Sequence, residues 1–600
     1  MSKEKKYSDV ICEWLKHLGY THCFFVAGGN IMHLLESANK CFKCIPTIHE
    51  VAAGIAAEYF NETECGKKAF ALITAGPGFT NIVTAIGGAY LESRELLVIG
   101  GQVKTSDLSY GQNIRQRGIQ EIAGVDIARP ITKKAVCLYE PLSYDEFAEI
   151  ITLGSIPRKG PVFIEFPLDI QACIVNSPGP LSLPSANNET QIASLDDSYL
   201  KHSASEVARL IRTAKRPIIL IGGGVKRETV NKNYDSLDLF GVPIMTTWNG
   251  ADRIGADHKL YFGRPNTWGQ RYSNVLIQQS DLLVAIGTRL GLQQTGFNWQ
   301  EFVPNGRIVQ VDCDEGELTK GHPIVFMPIC GEANAFLELL LKERFGGYFN
   351  WIKHCNKVKE LLPLEETINF TGKDYISPYR FSSMLSKLCS NKDLIIPCSS
   401  GGAMTTTMQA FAAKKGQVII NNKSLASMGY GLSGAIGAAI ALSPRRTILI
   451  EGDGGFAQNL QELGTVVANG LNLKIFIFDD CGYASIRMTQ KSYFGGNYFG
   501  CDNKTGLGLP NWEKLFAAYD IPFFKLPKDF DNSQEFSSLF NSKGAVGFIV
   551  PIDPEQTYFP KITSKILANG SMKSNPLNLM TPDIDEQVIN KINLSLQEIK

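Results

Sequence analysis

Short apolar runs, several of them ending in a glycine-bearing turn, recur along the chain and alternate with stretches in which apolar residues return at helical spacing. In the first third these runs are Phe24-Phe25-Val26-Ala27 before Gly28-Gly29, Ala71-Leu72-Ile73-Thr74 before Gly76-Pro77-Gly78, Leu96-Leu97-Val98-Ile99 before Gly100-Gly101-Gln102, and Pro161-Val162-Phe163-Ile164. The middle carries Ile218-Ile219-Leu220-Ile221 before Gly222-Gly223-Gly224, then Leu282-Leu283-Val284-Ala285-Ile286 and Ile308-Val309-Gln310-Val311. The last third repeats the pattern at Leu394-Ile395-Ile396, Thr447-Ile448-Leu449-Ile450, Lys474-Ile475-Phe476-Ile477-Phe478 and Gly547-Phe548-Ile549-Val550. Strands without polar alternation, each followed by a helix, belong to parallel sheets covered on both faces. The pattern therefore predicts an α/β protein of three doubly wound parallel-sheet domains.

Six hundred residues exceed what one core holds, at about 150 residues per domain. The boundaries read from the pattern are 1–175, 190–345 and 370–557, with a Pro/Ser/Asn-rich linker over 176–188. A polar, Pro-punctuated tail, 558–600, is expected to lie over the third domain. Lys plus Arg and Asp plus Glu both number 59, so no net field recruits nucleic acid or anionic lipid. There is no apolar run of membrane-spanning length, and the N-terminus leads into an amphipathic helix with Trp14 and Leu15 instead of a signal core. Fourteen scattered cysteines suit free thiols in a reducing, cytoplasmic compartment. Cys41 and Cys44 have metal-ligand spacing, but no second pair accompanies them, which argues against zinc.

The densest chemistry lies in the last third. The run ending at Ile450 leads to Glu451-Gly452-Asp453-Gly454-Gly455, and the run ending at Phe478 leads to Asp479-Asp480-Cys481-Gly482. Between them 457–468 reads as an amphipathic helix closed by Asn469-Gly470. Such a unit is right-handed, so both carboxylates emerge at the carboxyl ends of neighbouring parallel strands, where open sheets bind ligands. Two acids there suggest a hard cation. Gly454 and Gly455 would let N–H groups approach an anion before a helix. Metal plus anion suggests a diphosphate on Mg²⁺, with the Gly482 carbonyl as a further ligand. A lone Gly-Asp-Gly is more simply a βα turn with Asp as helix cap; the whole constellation favours the metal.

These motifs resemble those of the thiamine diphosphate (ThDP) enzymes, in which Gly-Asp-Gly is followed by Asn-Asn after a similar interval. The resemblance implies pyrimidine-binding, central Rossmann-like and diphosphate-binding domains in that order, with Mg²⁺ held by Asp453, Asp480 and the Gly482 carbonyl. Asp479-Asp480 in place of Asn-Asn is a departure. An extra charge beside a diphosphate carries about 4 kcal/mol of repulsion per pair at about 4 Å in a medium of effective dielectric near 20, offset by attraction to the metal. Pro46-Thr47-Ile48-His49-Glu50-Val51-Ala52-Ala53-Gly54 matches the segment whose glutamate hydrogen-bonds the aminopyrimidine, which assigns catalysis to Glu50. The plainer reading of Glu50 is a first-turn acid that complements the helix dipole. The small residues after it predict close packing on another backbone, as at a cofactor site between subunits.

Within that family the first third resembles the acetolactate synthase branch, through Gly28, Gly29, Thr74 and Gly76 around the cofactor and through Gly101-Gln102. Residues 110–121 lack the His pair of pyruvate-decarboxylase-like enzymes, and Ile119-Gln120-Glu121 resembles that branch's Phe-Gln-Glu, placing Gln120 beside the reactive carbon. Met428, in Ser427-Met428-Gly429-Tyr430, matches the residue that wedges the cofactor into its bent shape, though packing alone would also explain a Met there. Arg289 matches the arginine near the second oxo acid. FAD in the central domain is left open, with Arg158 and 262–283 as its contacts; the triple glycine by itself equally serves helix packing.

The reaction implied is carboligation: a 2-oxo acid, pyruvate for preference, is decarboxylated and its two-carbon acyl-anion equivalent passes to a carbonyl acceptor. Thr489 stands where the branch carries a pocket-shaping Trp, and the segment 553–577 resembles acetolactate-synthase-like proteins of polysaccharide and branched-sugar pathways. The acceptor is therefore either a second 2-oxo acid or a keto-sugar nucleotide. A non-ligating 2-oxo acid decarboxylase and a non-catalytic binding subunit are the alternatives; the second would be expected to lack Glu50 or Asp453. A homodimer or homotetramer is expected, because cofactor sites in this family span two chains.

Overall fold

A computed structural model describes residues 4–109, 111–176, 197–567 and 569–599, so nearly all of the linker expected at 176–188 lies outside it. The chain divides into two compact units, one of Met1–Gln191, Asp393–Ala403 and Ile420–Pro551, the other of Ile192–Lys392, Met404–Ile419 and Ile552–Lys600. The first unit contains two parallel sheets. One runs in the order Lys43–Pro46, Tyr20–Phe25, Lys68–Ile73, Leu96–Gln102, Pro161–Pro167, Lys134–Cys137. Its central strands are buried on both faces, which is why they read as unbroken apolar runs. On one face Tyr7, Trp14, Leu34 and Phe147 pack with Phe70, Leu97 and Ile164. On the other, Phe79 of helix Pro77–Glu92 meets Phe163 with ring centroids 4.8 Å apart.

The second sheet of this unit has Leu394–Ile396, Thr447–Gly452, Leu473–Asp479, Val546–Pro551 and Phe523–Lys525 side by side, all parallel. Between its two acidic turns the predicted single helix over 457–468 is broken into Asp453–Phe456, a 3₁₀ turn Leu460–Glu462 and Leu463–Ala468. The break falls at Asn459, whose side-chain amide donates to the Gly429 carbonyl at 2.7 Å instead of facing solvent on a helix. Asparagine readily trades helical geometry for such a bond.

The other unit holds the central sheet, Ile244–Thr246, Pro217–Ile221, Leu282–Ile286, Arg307–Asp312 and Met327–Cys330, again parallel. The three domains are thus parallel-sheet α/β, as the alternation of runs predicts. The tail, expected over the third domain, belongs to this unit, where Leu577, Ile592 and Ile599 enter the core of the central sheet. Helix Glu586–Gln597 packs on helix Phe349–Leu361. All fourteen cysteines are free, and no helix among the described residues is long and apolar enough to cross a membrane.

The two sheets of the first unit are joined largely through closely packed helices. Helix Glu50–Glu62 lies against helix Pro77–Glu92, where a Cβ on Gly54 would come within 2.6 Å of the Ala85 Cβ. It lies equally close to helix Tyr430–Ala441: a Cβ on Gly437 would stand 2.0 Å from the Ala56 carbonyl oxygen, and one on Gly434 2.5 Å from the Tyr59 ring. The small residues after Glu50 are therefore explained by packing inside one chain. Beneath this contact the fully buried Glu58 carboxylate accepts from Arg94 at 2.8 Å, Tyr430 at 2.5 Å and Asn422 at 3.2 Å, while Arg94 also donates to the Asn421 carbonyl at 2.6 Å. Because the Gly437 approach is to rigid backbone, Gly437→Val is expected to cost roughly 1–3 kcal/mol or more and to lower the thermal midpoint, as read by denaturant titration and melting.

Candidate active site

At the carboxyl edge of the first sheet the structure brings together Gly28, Glu50, Thr74, Gly76 and Gln120. A Cβ on Gly28 would lie 2.4 Å from that of Thr74, and one on Gly76, whose φ is +65°, would lie 2.6 Å from the Gln120 carbonyl oxygen. Gly29 has nothing within 4 Å of its Cβ position, so no close approach requires it to be glycine. Glu50 is the first residue of its helix and is buried; its Oε2 accepts from Asn81 Nδ2 at 3.0 Å. A Cβ on Gly78 would be 3.6 Å from the other Glu50 oxygen. The buried Thr74 hydroxyl has no partner in the protein. A buried carboxylate beside an orphaned hydroxyl suits a polar heterocycle with donors to offer.

Gln120 is exposed and takes a φ of +65°. Its conformation is held from the next residue: Glu121 accepts from the Ser109 N–H and hydroxyl, both at 2.6 Å, from Arg117 N at 2.8 Å and from Gly118 N at 3.0 Å. Burial raises the Glu121 pKa, but the Ser109, Arg117 and Gly118 donors outweigh it and hold the carboxyl below its usual range. Most of these donors are main-chain N–H groups, which leave no mark in sequence.

The second cluster sits at the carboxyl edge of the diphosphate-side sheet. Gly452 pairs with Phe478, so Asp453 and Asp479-Asp480 leave adjacent strands. Asp453, almost wholly buried, accepts from Gly454 N at 2.6 Å and, through its other oxygen, from Gly482 N at 2.9 Å. Gly482 has a φ of +144°, and a Cβ there would stand 2.1 Å from the Cys501 carbonyl oxygen. Burial, then the charges of Asp480 and Asp479, push the Asp453 pKa up; burial likewise raises Asp480, against the pull of Arg487. Two carboxylates whose charged forms are disfavoured by burial and by neighbouring acids suit a cation.

Gly454 and Gly455 have a different reason to be glycine from the one expected. Their Cβ positions are 2.3 Å from the Tyr483 ring and 2.7 Å from Glu451 Oε1, and the Gly454 N–H already points at Asp453. The helix they begin, Asp453–Phe456, is too short to offer an anion-binding N-terminus of its own. Met428 is 38% exposed and precedes Gly429, whose φ of +79° turns the chain into helix Tyr430–Ala441. Asn459 holds that turn from the loop after Asp453.

A further residue, invisible in the sequence, ties the two clusters' elements together. Glu462 is fully buried and accepts from Ile48 N at 3.1 Å and His49 N at 3.0 Å, just ahead of Glu50, while Thr465 donates to it at 2.6 Å. Arg487, the partner of Asp480 at 2.8 Å, was likewise unmarked.

The other residues named from sequence have surroundings of their own. Arg158 is half-buried, with its carbonyl accepting from Lys133 at 3.1 Å. Arg289 is half-buried in the other unit, its carbonyl accepting from Lys320. Residues 262–283 are mostly core: Phe262, Arg264, Asn266 and Leu276 are buried. A Cβ on Gly222 would be 2.1 Å from the Gly287 oxygen and one on Gly224 3.0 Å from the Gly287 Cα, so protein packing by itself accounts for these glycines. The metal turn does fit Mg²⁺ with a diphosphate. Among the described residues no three His, Cys, Asp or Glu side chains gather as a metal cage, so a cation at two carboxylates must complete its shell with other oxygens, as Mg²⁺ on a diphosphate does.

The same edge of the first sheet holds a buried acid outside these clusters. Glu165 touches Gln102 at 3.4 Å through one oxygen and has no partner for the other. Burial, opposed by Gln102, raises its pKa from 4.5 to about 8. A raised folded-state pKa means that stability present below pH 4.5 is lost as pH climbs through about 8. Glu165→Gln should remove this loss, gaining on the order of 5 kcal/mol over the parent above that window and nothing below it, read from denaturant midpoints against pH.

Three family models match in order: "Thiamine pyrophosphate enzyme, N-terminal TPP binding domain" at 5–127, "central domain" at 204–340 and "C-terminal TPP binding domain" at 400–547. Together they span more than half of the chain. The chain is 29% identical over 535 residues to the "Probable acetolactate synthase large subunit" of Methanocaldococcus jannaschii, covering 86% of each. It is 28% identical over 493 residues to the protein of that name from Methanococcus aeolicus, covering 79% of this chain and 80% of the other. It is 25% identical over 568 residues to the "Acetolactate synthase isozyme 1 large subunit" of Escherichia coli K12, covering 92% and 95%.

Proposed function

The chain belongs to the thiamine pyrophosphate enzyme family, and from that membership we propose that it is a ThDP- and Mg²⁺-dependent carboligase that takes a two-carbon unit from pyruvate. The observation that carries the reading is the pairing of buried Asp453 and Asp480 at adjacent strand ends with a buried glutamate, Glu50, at the start of a helix in the first domain. The relatives named acetolactate synthase support the donor. Bound ThDP supplies an electron sink, which lets a 2-oxo acid lose CO₂ and lets the remaining acyl-anion equivalent attack a carbonyl.

The chain's own residues then have separable roles. Asp453 and Asp480 each lend one oxygen to Mg²⁺, with the Gly482 carbonyl beside them. Glu50, oriented by Asn81, would hydrogen-bond the cofactor's aminopyrimidine and take part in its proton transfer. Thr74 offers its unpartnered hydroxyl to the same ring. Met428 would support the cofactor's bent shape, and Gln120 would offer a polar contact to the bound intermediate from the loop that Glu121 holds. Ile48 is 60% exposed, Ile119 86% and Met428 38%, all close in sequence to these groups. Apolar exposure of that kind supports completion of the site by a second copy of the chain. We assign no flavin role in the central domain.

Thr489 favours a bulkier acceptor than pyruvate. It lies exposed on helix Ala484–Tyr493, its hydroxyl turned back to the Ser485 carbonyl at 3.0 Å, where it neither fills space nor offers a free donor. A keto-sugar nucleotide is the acceptor this suits. Mass analysis of products from pyruvate, ThDP and Mg²⁺, with and without such an acceptor, tests donor and acceptor together. Abundant acetolactate without added acceptor would exclude the sugar reading, and free acetaldehyde alone would make the protein a decarboxylase. Glu50→Gln is expected to lower turnover by roughly 10²–10⁴-fold with an unchanged melting midpoint; full activity in that variant would refute the assignment of Glu50.

A further inference from the structure

Asp480 occupies a position where a neutral amide is the expected metal ligand, and the structure pairs it with a cation. Arg487, one turn into helix Ala484–Tyr493 and 5% exposed, donates through Nη2 to Asp480 Oδ1 at 2.8 Å and to the Asp480 carbonyl at 2.6 Å. Its Nη1 reaches towards the Cys501 carbonyl at 3.5 Å and stands 3.1 Å from where a Gly482 Cβ would be. The guanidinium is thereby fixed against both the carboxylate and the turn that carries it.

We propose that Arg487 is a positioning and charge-setting residue of the metal site, converting Asp480 into the electrostatic equivalent of asparagine so that a diphosphate is accepted beside it. An asparagine side chain gives a cation one oxygen and carries no charge. A carboxylate with one oxygen held by an arginine also has one oxygen left for the cation, and the pair is neutral. Without Arg487, the full charge of Asp480 would add to that of Asp453, with Asp479 nearby, at one divalent cation that must also hold a diphosphate. Each uncompensated carboxylate strengthens the hold on the bare cation and repels the phosphate oxygens. The arginine removes that conflict at the residue where it arises. Guanidinium suits the task because it stays charged and presents fixed donors that reach carboxylate and carbonyl together.

The inference rests on the proposed ThDP–Mg²⁺ reading, and equilibrium binding separates its failure from the failure of that reading. ThDP affinity at saturating Mg²⁺, and Mg²⁺ affinity without ThDP, would be measured calorimetrically for the parent, Arg487→Met, Asp480→Asn and the double variant. Arg487→Met is expected to weaken ThDP binding by about 10-fold or more while leaving Mg²⁺ binding as tight or tighter. Adding Asp480→Asn should restore ThDP affinity to within about 3-fold of the parent, a rescue that a purely structural arginine would not show. Should Arg487→Met not fold, Asp480→Asn alone serves: ThDP binding retained within about 3-fold, with weaker Mg²⁺ binding, supports the proposal. Parent-like ThDP affinity in Arg487→Met overturns it, as does equal loss in the single Arg487 variant and the double one. A tenfold loss of ThDP affinity in Asp480→Asn overturns it too. A parent protein that binds no ThDP at all removes the cofactor reading itself, and this inference with it.

Discussion

The close contact between helices Glu50–Glu62 and Tyr430–Ala441 is the constraint on which the first unit depends. Backbone meets backbone there, with no side-chain length to absorb error, so the separation and rotation of the two helices are set within a few tenths of an ångström. Glu50 opens one of these helices, and the Met428-Gly429 turn leads into the other. Two residues far apart in the chain are therefore placed by one packing interaction. Glu462 reinforces it by accepting the N–H groups of Ile48 and His49, so the entry to the Glu50 helix is held from the loop after Asp453.

Each buried carboxylate in this unit meets the cost of desolvation in a different way. Glu58 is paired with Arg94 and capped by Tyr430 and Asn422. Glu121 is satisfied almost wholly by main-chain donors. Glu165 has only a long contact with Gln102 and is pushed towards its neutral form. Asp453 and Asp480 differ from all of these, since burial pushes both pKa values up, the Asp480 charge raises Asp453 further, and only Asp480 has a cationic partner. Two buried carboxylates at strand ends with a single arginine between them are the arrangement a bound cation would complete.

Much of the architecture was legible because parallel strands buried on both faces write themselves as apolar runs, as at Leu72-Ile73 and Phe476-Ile477. The emergence of Asp453 and Asp480 from neighbouring strands followed from the handedness of the unit between them. The helix over 457–468 was misjudged because its periodicity is real, while the bond that interrupts it, from Asn459 to Gly429, joins residues distant in the chain. The tail was misplaced for a related reason: Leu577 and Ile592 are too sparse to show which core they enter.

By itself the sequence determined the domain class, the order of strands and turns, and the residues that could carry metal and proton chemistry, since these depend on local period and on side-chain type. Only the tertiary structure decided why Gly54, Gly434 and Gly437 are small, that Glu462 and Glu121 hold backbone near Glu50 and Gln120, and that Asp480 has Arg487 as its partner. Those are relations between surfaces and main-chain groups brought together by folding. No residue type or spacing encodes them, because a backbone N–H is the same in every sequence and a close approach is a property of two elements together.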